Sequence, residues 1–257
     1  MDYSLTIGWL YPELMSTYGD RGNIFVLKNR CAWRNTNIKV LGIGFEASIN
    51  SIQRCNLIFG GGAQDRQQTL LIEDLRINKG SVLRKMFEKG IPGLFVCGAP
   101  QLLGHSYMTG EGKKLEGLGI FTMESKHFGK EKPRCIGNMI AEIDEEFRIE
   151  NLEFRKTIVG FENHGGRTYL GNGVKPFAKV LVGNGNNGED GTEGAVYKNC
   201  IATYSHGPFL PKNPHIADWL ISKALEVKYR KPIILEPLDD TLEWQAHDYI
   251  VRRFLKR

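Results

Sequence analysis

The sequence predicts a single α/β domain with a mostly parallel central sheet and helices on both faces of that sheet. Over the first 100 residues, short apolar runs alternate with helical stretches, a pattern typical of parallel strands joined by crossover helices. The chain has 257 residues, of which 41% are hydrophobic and 25% charged, so it can bury one sizeable core. Glycine is over-represented, with 30 residues gathered in clusters, which favours sites lined by backbone.

The amino-terminal half supplies the parallel strands. Strands are predicted over residues 4–10, 38–43, 55–59 and 93–96, and helical spacing separates them, including residues 64–77 and 81–88. In such sheets ligands bind at the carboxyl ends of the strands. The triple glycine at 60–62 and Cys97 both follow strand ends, so we expect them at the same edge of the sheet.

The second half predicts shorter, mixed or antiparallel strands over 139–143, 157–161, 178–182 and 195–204. The segment 182–195 is predicted to be a loop too polar to bury. One helix is predicted to begin at Asn213 and Pro214, and a last one at Asp240 with Glu243 completing a capping box. Because no linker interrupts the chain, residues 1–257 are expected to form one domain, with a core at about 5–225 and a carboxy-terminal helical extension at about 232–257.

Charge and composition exclude several function classes. The net charge is +5 with acidic residues interspersed, so no basic stripe indicates nucleic-acid binding. No apolar stretch is long enough for membrane insertion, and the amino terminus lacks the pattern of a signal peptide. The five cysteines are odd in number and share no CxxC spacing, which argues against disulfides and zinc. A cytoplasmic location with reduced thiols is therefore expected.

Two candidate catalytic side chains follow apolar runs. Cys97 stands where a predicted strand turns into a helix, a geometry that exposes a thiol to the positive end of the helix dipole. His206 precedes a Gly-Pro break and could serve as the base that a cysteine nucleophile needs. The alternatives are a buried structural cysteine and a histidine with a structural hydrogen bond only.

Two further segments carry candidate polar groups. The glycines at 60–62 could present backbone N–H groups to an oxyanion, or they could form a simple tight turn. Glu162, His164 and Arg167 could form a metal or catalytic cluster, but their spacing matches no zinc motif. A hydrogen-bonded polar network is the alternative, and we expect no metal.

Four motifs in order carry a resemblance to a known family: FGGGAQDRQQ, LFVCGAPQLLG, GFENHGGRT and TYSHGPFLPKN. From about residue 5 to 225 the chain resembles class I glutamine amidotransferases of the branch shared with cobyric acid synthases. Within that branch it looks most like the glutaminase subunits of bacterial lipid II isoglutaminyl synthases. The resemblance implies a flavodoxin-like three-layer fold and hydrolysis of L-glutamine to glutamate and ammonia.

The resemblance also implies catalytic roles. Cys97 would be the nucleophile that forms a thioester, and His206 would be its base. The backbone N–H of Gly98, with one from Gly61 or Gly62, would form the oxyanion hole.

Two residues would bind the substrate by the same resemblance. Gln101, four residues after the nucleophile, would line the glutamine pocket. Arg134 would bind the α-carboxylate, for which a guanidinium is suited; its alternative is a solvated loop charge.

The sequence departs from the wider class in two places. Phe95 and Ala99 occupy the positions two before and two after Cys97 where glycines are usual. Pro208 replaces the carboxylate that commonly follows the catalytic histidine by two residues. We therefore hypothesise that the free chain is a weak glutaminase and that a partner subunit supplies or positions the missing acceptor for His206.

No phosphate-binding loop of the GxxxxGK[ST] type is present, so no ATP site and no cofactor are expected in this chain. Because amidation requires an activated carboxylate, an ATP-using partner is implied. The resemblance makes this a MurT-like synthetase of the Mur-ligase type in a heterodimer, with the D-glutamate of the lipid II stem peptide as acceptor. The alternatives are the amidotransferase domain of a cobyric-acid-type synthase, against which FENHGG speaks, and a non-catalytic scaffold of the same fold.

Overall fold

A computed structural model describes residues 3–145, 147 and 156–255 of the chain. In chain order the strands are β1 Ser4–Leu10, β2 Asn37–Ile43, β3 Leu57–Gly60, β4 Gly93–Val96, β5 Ser106–Met108, β6 Lys114–Glu116, β7 Met123–His127, β8 Cys135–Ile143, β9 Thr157–His164, β10 Gly166–Leu170, β11 Ala178–Val182, β12 Thr192–Glu193, β13 Ala195–Tyr197 and β14 Cys200–Thr203. The α-helices are α1 Arg21–Ala32, α2 Ile49–Gln53, α3 Asp65–Asp74, α4 Gly80–Glu88, α5 Gly98–Leu103, α6 Pro214–Tyr229 and α7 Thr241–Phe254.

The main sheet has six strands in the order β13-β14-β4-β3-β1-β2. All of its pairs are parallel except the hairpin of β13 and β14. Successive residues of a strand face opposite sides, so Phe59 joins one core while Ile58 joins the other. One core lies under α1 and α6, and the other lies under α3, α4 and α5. The predicted α/β class with a mostly parallel sheet is therefore confirmed.

The parallel register brings the predicted site segments together. Gly60 of β3 pairs with Phe95 of β4, and Thr203 of β14 pairs with Val96. The glycine segment, Cys97 and the segment before His206 consequently leave three adjacent strands at the same edge of the sheet. This placement agrees with the sequence expectation for the glycines and Cys97.

Two four-stranded sheets, in the orders β10-β7-β5-β6 and β12-β11-β8-β9, flank the main sheet. An isolated antiparallel bridge between Phe161 of β9 and His206 connects the second of them to the candidate site. These sheets carry the polar residues of the GFENHGGRT segment. No helix of the described ranges combines the length and the apolar character needed to cross a bilayer.

Three sequence expectations about local structure are wrong in whole or in part. The strand predicted over 195–204 is a hairpin, because Lys198 adopts a left-handed conformation with φ of 53° and reverses the chain. The segment 182–195 is buried at residues 185–187 and 193–195, where the sequence predicts a solvated loop, whereas residues 188–191 are exposed as expected. Asn186 is 1% exposed, and its amide exchanges two hydrogen bonds with the backbone of Gly194, which meets the polar cost of burial.

The capping box predicted at Asp240 is the third expectation that the structure contradicts. The last helix begins at Thr241, as expected within one residue, but the Asp240 side chain does not cap it. Its carboxylate instead accepts hydrogen bonds from the buried guanidinium of Arg30, which also binds Asp218 in a bidentate manner. This ion-pair network ties the start of α7 to α1 and α6.

Candidate active site

Cys97 lies in a sharp turn between β4 and α5. Its φ of 53° and ψ of −95° are rare for a residue other than glycine, and such strained backbone is concentrated at functional sites. The Cys97 N–H donates to the carbonyl oxygen of Thr203 at 2.8 Å. The turn thus presents the thiol at the edge of the sheet, as the sequence indicates.

The two residues that replace the usual glycines of this turn fit without distortion. The Phe95 ring packs edge-on against Phe87 and Phe121 in the core. The methyl group of Ala99 points towards Gly60, where a Cβ in place of the glycine hydrogen would approach it to 2.9 Å. Gly60 on the neighbouring strand therefore leaves room for the methyl group of Ala99.

His206 is fully buried beside this turn. Its backbone exchanges two hydrogen bonds with Phe161, at 2.8 and 3.2 Å. The ring of Tyr18 packs edge-on against the imidazole, with the centroids 5.0 Å apart. The structure therefore brings Cys97 and His206 to one location, although they are 109 positions apart in the chain.

Asp20 supplies the acceptor for His206 that the sequence motifs do not reveal. Its Oδ1 lies 3.1 Å from Nδ1 of His206, and both side chains are completely buried. The part of the hypothesis in which a partner subunit supplies this acceptor is therefore wrong, because a carboxylate of the same chain already binds the far nitrogen. Weak activity of the free chain, and positioning of the acceptor by a partner, stay predictions. Pro208 packs against Gly22 in the first turn of α1, directly after Asp20. A carboxylate from the start of α1 thus serves where Pro208 carries none.

Cys97 and Asp20 both affect the pKa of the His206 imidazole. Burial disfavours the protonated ring, but the Cys97 sulfur and the Asp20 carboxylate together outweigh it and raise the pKa of His206 to about 10. Near neutral pH the site therefore favours an imidazolium that faces sulfur on one side and carboxylate on the other. This arrangement can hold a nucleophilic thiolate and can supply a proton to a leaving group.

The glycine segment has a different arrangement from the one expected. The Gly62 N–H donates to Oδ2 of Asp20 at 2.7 Å, so in this structure it is not available to an oxyanion. Gly61 lies against the Met15 carbonyl, which a Cβ would approach to 2.5 Å. Gly98, in the first turn of α5, faces the Ala63 backbone so closely that a Cβ at this position would lie 2.6 Å from the Ala63 nitrogen. The prediction is therefore corrected for Gly62, while Gly61 and Gly98 remain predicted donors.

A cleft of about 440 Å³ opens beside the thiol. This volume suits an amino-acid substrate. Its lining includes Cys97, Ala63, Gln101, His127, Arg134 and His164. Both predicted substrate-binding residues therefore line the cleft that contains the thiol.

The two predicted binding residues are held by other side chains. Gln101 is buried, accepts a hydrogen bond from Gln68 at 2.8 Å and donates to the Tyr204 hydroxyl at 3.0 Å. The Arg134 guanidinium donates to the side chain and backbone of Asn163 at 2.9–3.2 Å. Arg134 is exposed, and these hydrogen bonds orient it on the cleft wall.

The GFENHGGRT segment forms a buried hydrogen-bonded network. Glu162 accepts three hydrogen bonds from Asn184 and Gly185, at 2.7–2.9 Å. Nδ1 of His164 donates to the Gly166 carbonyl, and burial lowers the pKa of His164 to about 3, so its ring is neutral. Arg167 donates to two backbone carbonyls. Of the two alternatives open from the sequence, these contacts match the polar network.

The other four cysteines differ from Cys97 in their surroundings. All are buried, and burial raises the pKa of Cys31 to about 12 and of Cys55 and Cys135 to about 11. The pKa of Cys200 is also well above its usual value for the same reason. Of the five thiols, Cys97 is the one that lines the cleft, so chemistry with a solvent-borne electrophile is expected there.

The chain is similar to known glutamine amidotransferases. Residues 6–214 match the model of the CobB/CobQ-like glutamine amidotransferase domain. Lipid II isoglutaminyl synthase subunit GatD of Staphylococcus aureus strain N315 is 41% identical over 98% of this chain and 96% of its own length. GatD of Streptococcus pneumoniae strain R6 is 37% identical over 96% of this chain and 91% of its own length.

Two further similarities are more distant. A cobyric acid synthase of Clostridium botulinum is 31% identical over 54% of this chain and 28% of its own length. The glutaminase domain of Trypanosoma brucei CTPS has the same fold, with a TM-score of 0.57 at 12% identity over 90% of this chain and 96% of that domain. The class I fold, the four motifs and the family match agree: this chain is a glutamine amidotransferase and belongs to the CobB/CobQ-like glutamine amidotransferase family.

Proposed function

We propose that the chain is the glutaminase subunit of a lipid II isoglutaminyl synthase. It hydrolyses L-glutamine to glutamate and ammonia, and an ATP-dependent partner uses the ammonia to amidate D-glutamate in the lipid II stem peptide. One observation carries the hydrolysis: Cys97, His206 and Asp20 converge beside a cleft of amino-acid size. Sequence identities of 41% and 37% with two GatD subunits, over nearly the full length of the chain, support the proposed acceptor and the proposed partner.

The chemistry follows from the three side chains. The Cys97 thiolate attacks the side-chain amide carbon, and the carbonyl π electrons move to oxygen to form a tetrahedral oxyanion. When the oxyanion collapses, the carbon–nitrogen bond breaks and the His206 imidazolium protonates the leaving nitrogen, which departs as ammonia. A thioester of glutamate remains on Cys97.

Hydrolysis of the thioester needs His206 as a base. Once the sulfur is acylated, its negative charge is gone, and the largest influence that raises the imidazole pKa is lost with it. The neutral ring can then take a proton from water, whose oxygen attacks the thioester carbon and displaces the Cys97 thiolate. Asp20 binds Nδ1 throughout, so Nε2 faces the reacting groups.

Both tetrahedral intermediates need donors for the oxyanion. Gly98 is the first residue of the helix after Cys97, so its N–H is a candidate donor. Because Gly98 has no side chain, the Ala63 backbone can approach it closely. Ala63 also lines the cleft beside Cys97, so its N–H joins Gly61 as a candidate for the second donor. Each such donor contributes about 3 kcal/mol in well-studied enzymes.

Recognition of glutamine is proposed for the cleft wall. The Arg134 guanidinium, oriented by Asn163, is suited to bind the α-carboxylate. Gln101 positions the amide end through its fixed hydrogen bonds to Gln68 and Tyr204. These roles agree with the contacts of both side chains.

The partner is proposed to be a MurT-like synthetase of the Mur-ligase type, in a heterodimer. The chain itself carries no phosphate-binding loop of the GxxxxGK[ST] type, so activation of the acceptor carboxylate falls to that subunit. The use of ATP and a lipid II precursor would place the reaction in the cytoplasm at the inner membrane face. A cobyric-acid-type role is less well supported, because the similarity spans about half of this chain.

Reconstitution tests the proposal. The chain is combined with a MurT-like synthetase, ATP, L-glutamine and lipid II, and amidation of D-glutamate is followed by mass spectrometry. Amidation is expected with both subunits and not with either alone, and ammonium chloride should replace the chain together with glutamine. Hydrolysis of glutamine without any amidation of lipid II would reject the acceptor assignment and retain the glutaminase.

A further inference from the structure

Glu193, at the end of β12, is a fully buried carboxylate that the steps above do not use. Its Oε1 accepts hydrogen bonds from the Thr203 hydroxyl at 2.5 Å and from the Tyr204 N–H at 2.9 Å. The residue comes from the buried end of the segment 182–195 and binds the end of β14. Burial of an acidic side chain is costly, so a contribution beyond packing is expected from it.

The Thr203 hydroxyl connects this carboxylate to the backbone leading to His206. The hydroxyl has one proton, which it donates to Glu193, and it accepts the Ser205 N–H at 3.0 Å. The Thr203 carbonyl in turn accepts the Cys97 N–H at 2.8 Å. Glu193 therefore fixes three successive residues that join the backbone contact of Cys97 to His206.

We infer that Glu193 is a positioning residue that sets the separation of Cys97 and His206 by clamping the segment 203–205. It touches neither the substrate cleft nor the reacting atoms and acts through Thr203 and the backbone of Tyr204 and Ser205. The inference rests on the proposed glutaminase reaction. A displacement of about 1 Å between reacting groups can lower the rate about 100-fold. Loss of the clamp can therefore lower the rate of hydrolysis substantially.

The required property of the side chain is an acceptor oxygen. Burial raises the pKa of Glu193 to about 7, so the fold tolerates a neutral side chain there near neutral pH. Glutamine has the same shape and presents an oxygen to the same two donors. Methionine has a similar length and presents none.

The test compares variants in the full chain. E193M removes both hydrogen bonds to Glu193, and T203V removes the hydroxyl that bonds to Glu193 and to the Ser205 N–H, whereas E193Q and T203S keep these contacts. N199A is the matched control, because the Asn199 side chain donates to the Gly90 carbonyl at 2.7 Å and pins the opposite end of β14. The kcat and KM for glutamine hydrolysis are measured, together with the rate of Cys97 alkylation by iodoacetamide and the thermal midpoint.

E193M and T203V are expected to lower kcat about 30- to 100-fold with KM changed by less than about threefold, and to slow alkylation of Cys97. E193Q and T203S should retain most of the rate, and N199A should lower the thermal midpoint alone. If E193M does not fold, T203V decides. A folded T203V or E193M variant with wild-type kcat would overturn the inference. A wild-type chain without glutaminase activity would reject the proposed function, and the rates of Cys97 alkylation would then be the test of the clamp.

Discussion

Replacement of Cys97 with alanine is expected to lower glutamine hydrolysis about 10⁶-fold, as loss of a nucleophile does in comparable covalent mechanisms. The substitution adds no backbone strain, because alanine tolerates the φ of 53° as well as cysteine does. The same change removes the main influence that raises the imidazole pKa. The pKa of His206 should therefore fall from about 10, which an NMR titration of the ring can follow.

The control for this variant is the supply of ammonia from solution. In a complex with the proposed synthetase partner, the Cys97→Ala chain should lose glutamine-dependent amidation and keep amidation from ammonium chloride. Cys55→Ala removes a buried thiol remote from the cleft and should leave hydrolysis unchanged. Residual hydrolysis by Cys97→Ala within tenfold of wild type would mean that another nucleophile performs the reaction.

Replacement of Asp20 with asparagine is expected to lower kcat about 10⁴-fold, the cost of a wrong histidine tautomer in a comparable triad. Asparagine Oδ1 can still accept the Gly62 N–H, but its amide then presents N–H groups to Nδ1 of His206. The imidazole would accept this hydrogen bond and carry its proton on Nε2. A ring in that state cannot take a proton from Cys97 or from water.

The effect should appear in kcat and not in KM, because Asp20 is fully buried and lies outside the cleft lining. Asp74→Asn is a suitable comparison: it changes a carboxylate of the same chain that pairs with Lys79 and Tyr11 away from the cleft. It should affect stability and leave kcat within about threefold. A similar kcat for Asp20→Asn and wild type would show that another group orients His206.

The sequence is sufficient to predict the parts of the site that depend on local pattern. Short apolar runs predict strands, and a polar or glycine residue directly after a run predicts its exposure at the sheet edge. For this reason Cys97, His206 and the glycines at 60–62 can be placed together from the sequence. The pattern does not predict the turn at Lys198, where one left-handed residue divides an apolar run into a hairpin.

The acceptor for His206 could not be found in this way. Asp20 precedes α1 and resembles an ordinary helix cap, yet its side chain makes no capping hydrogen bond and turns towards a residue 186 positions away. Its position after β1, at the carboxyl edge of the predicted sheet, was the available signal. Glu193 was missed for another reason: a segment rich in Asn and Gly is typical of a solvated loop, whereas here the amide side chains replace water as hydrogen-bond partners.

The central claim is that Cys97, with His206 as its base, reacts with glutamine bound in the cleft that Cys97 and Arg134 line. A chloroketone analogue of L-glutamine, followed by intact mass and peptide mapping, tests it most directly. We expect one adduct per chain, on Cys97, whose formation L-glutamine blocks and D-glutamine does not. An adduct distributed over other cysteines, or one that forms at the same rate in saturating L-glutamine, would contradict the claim.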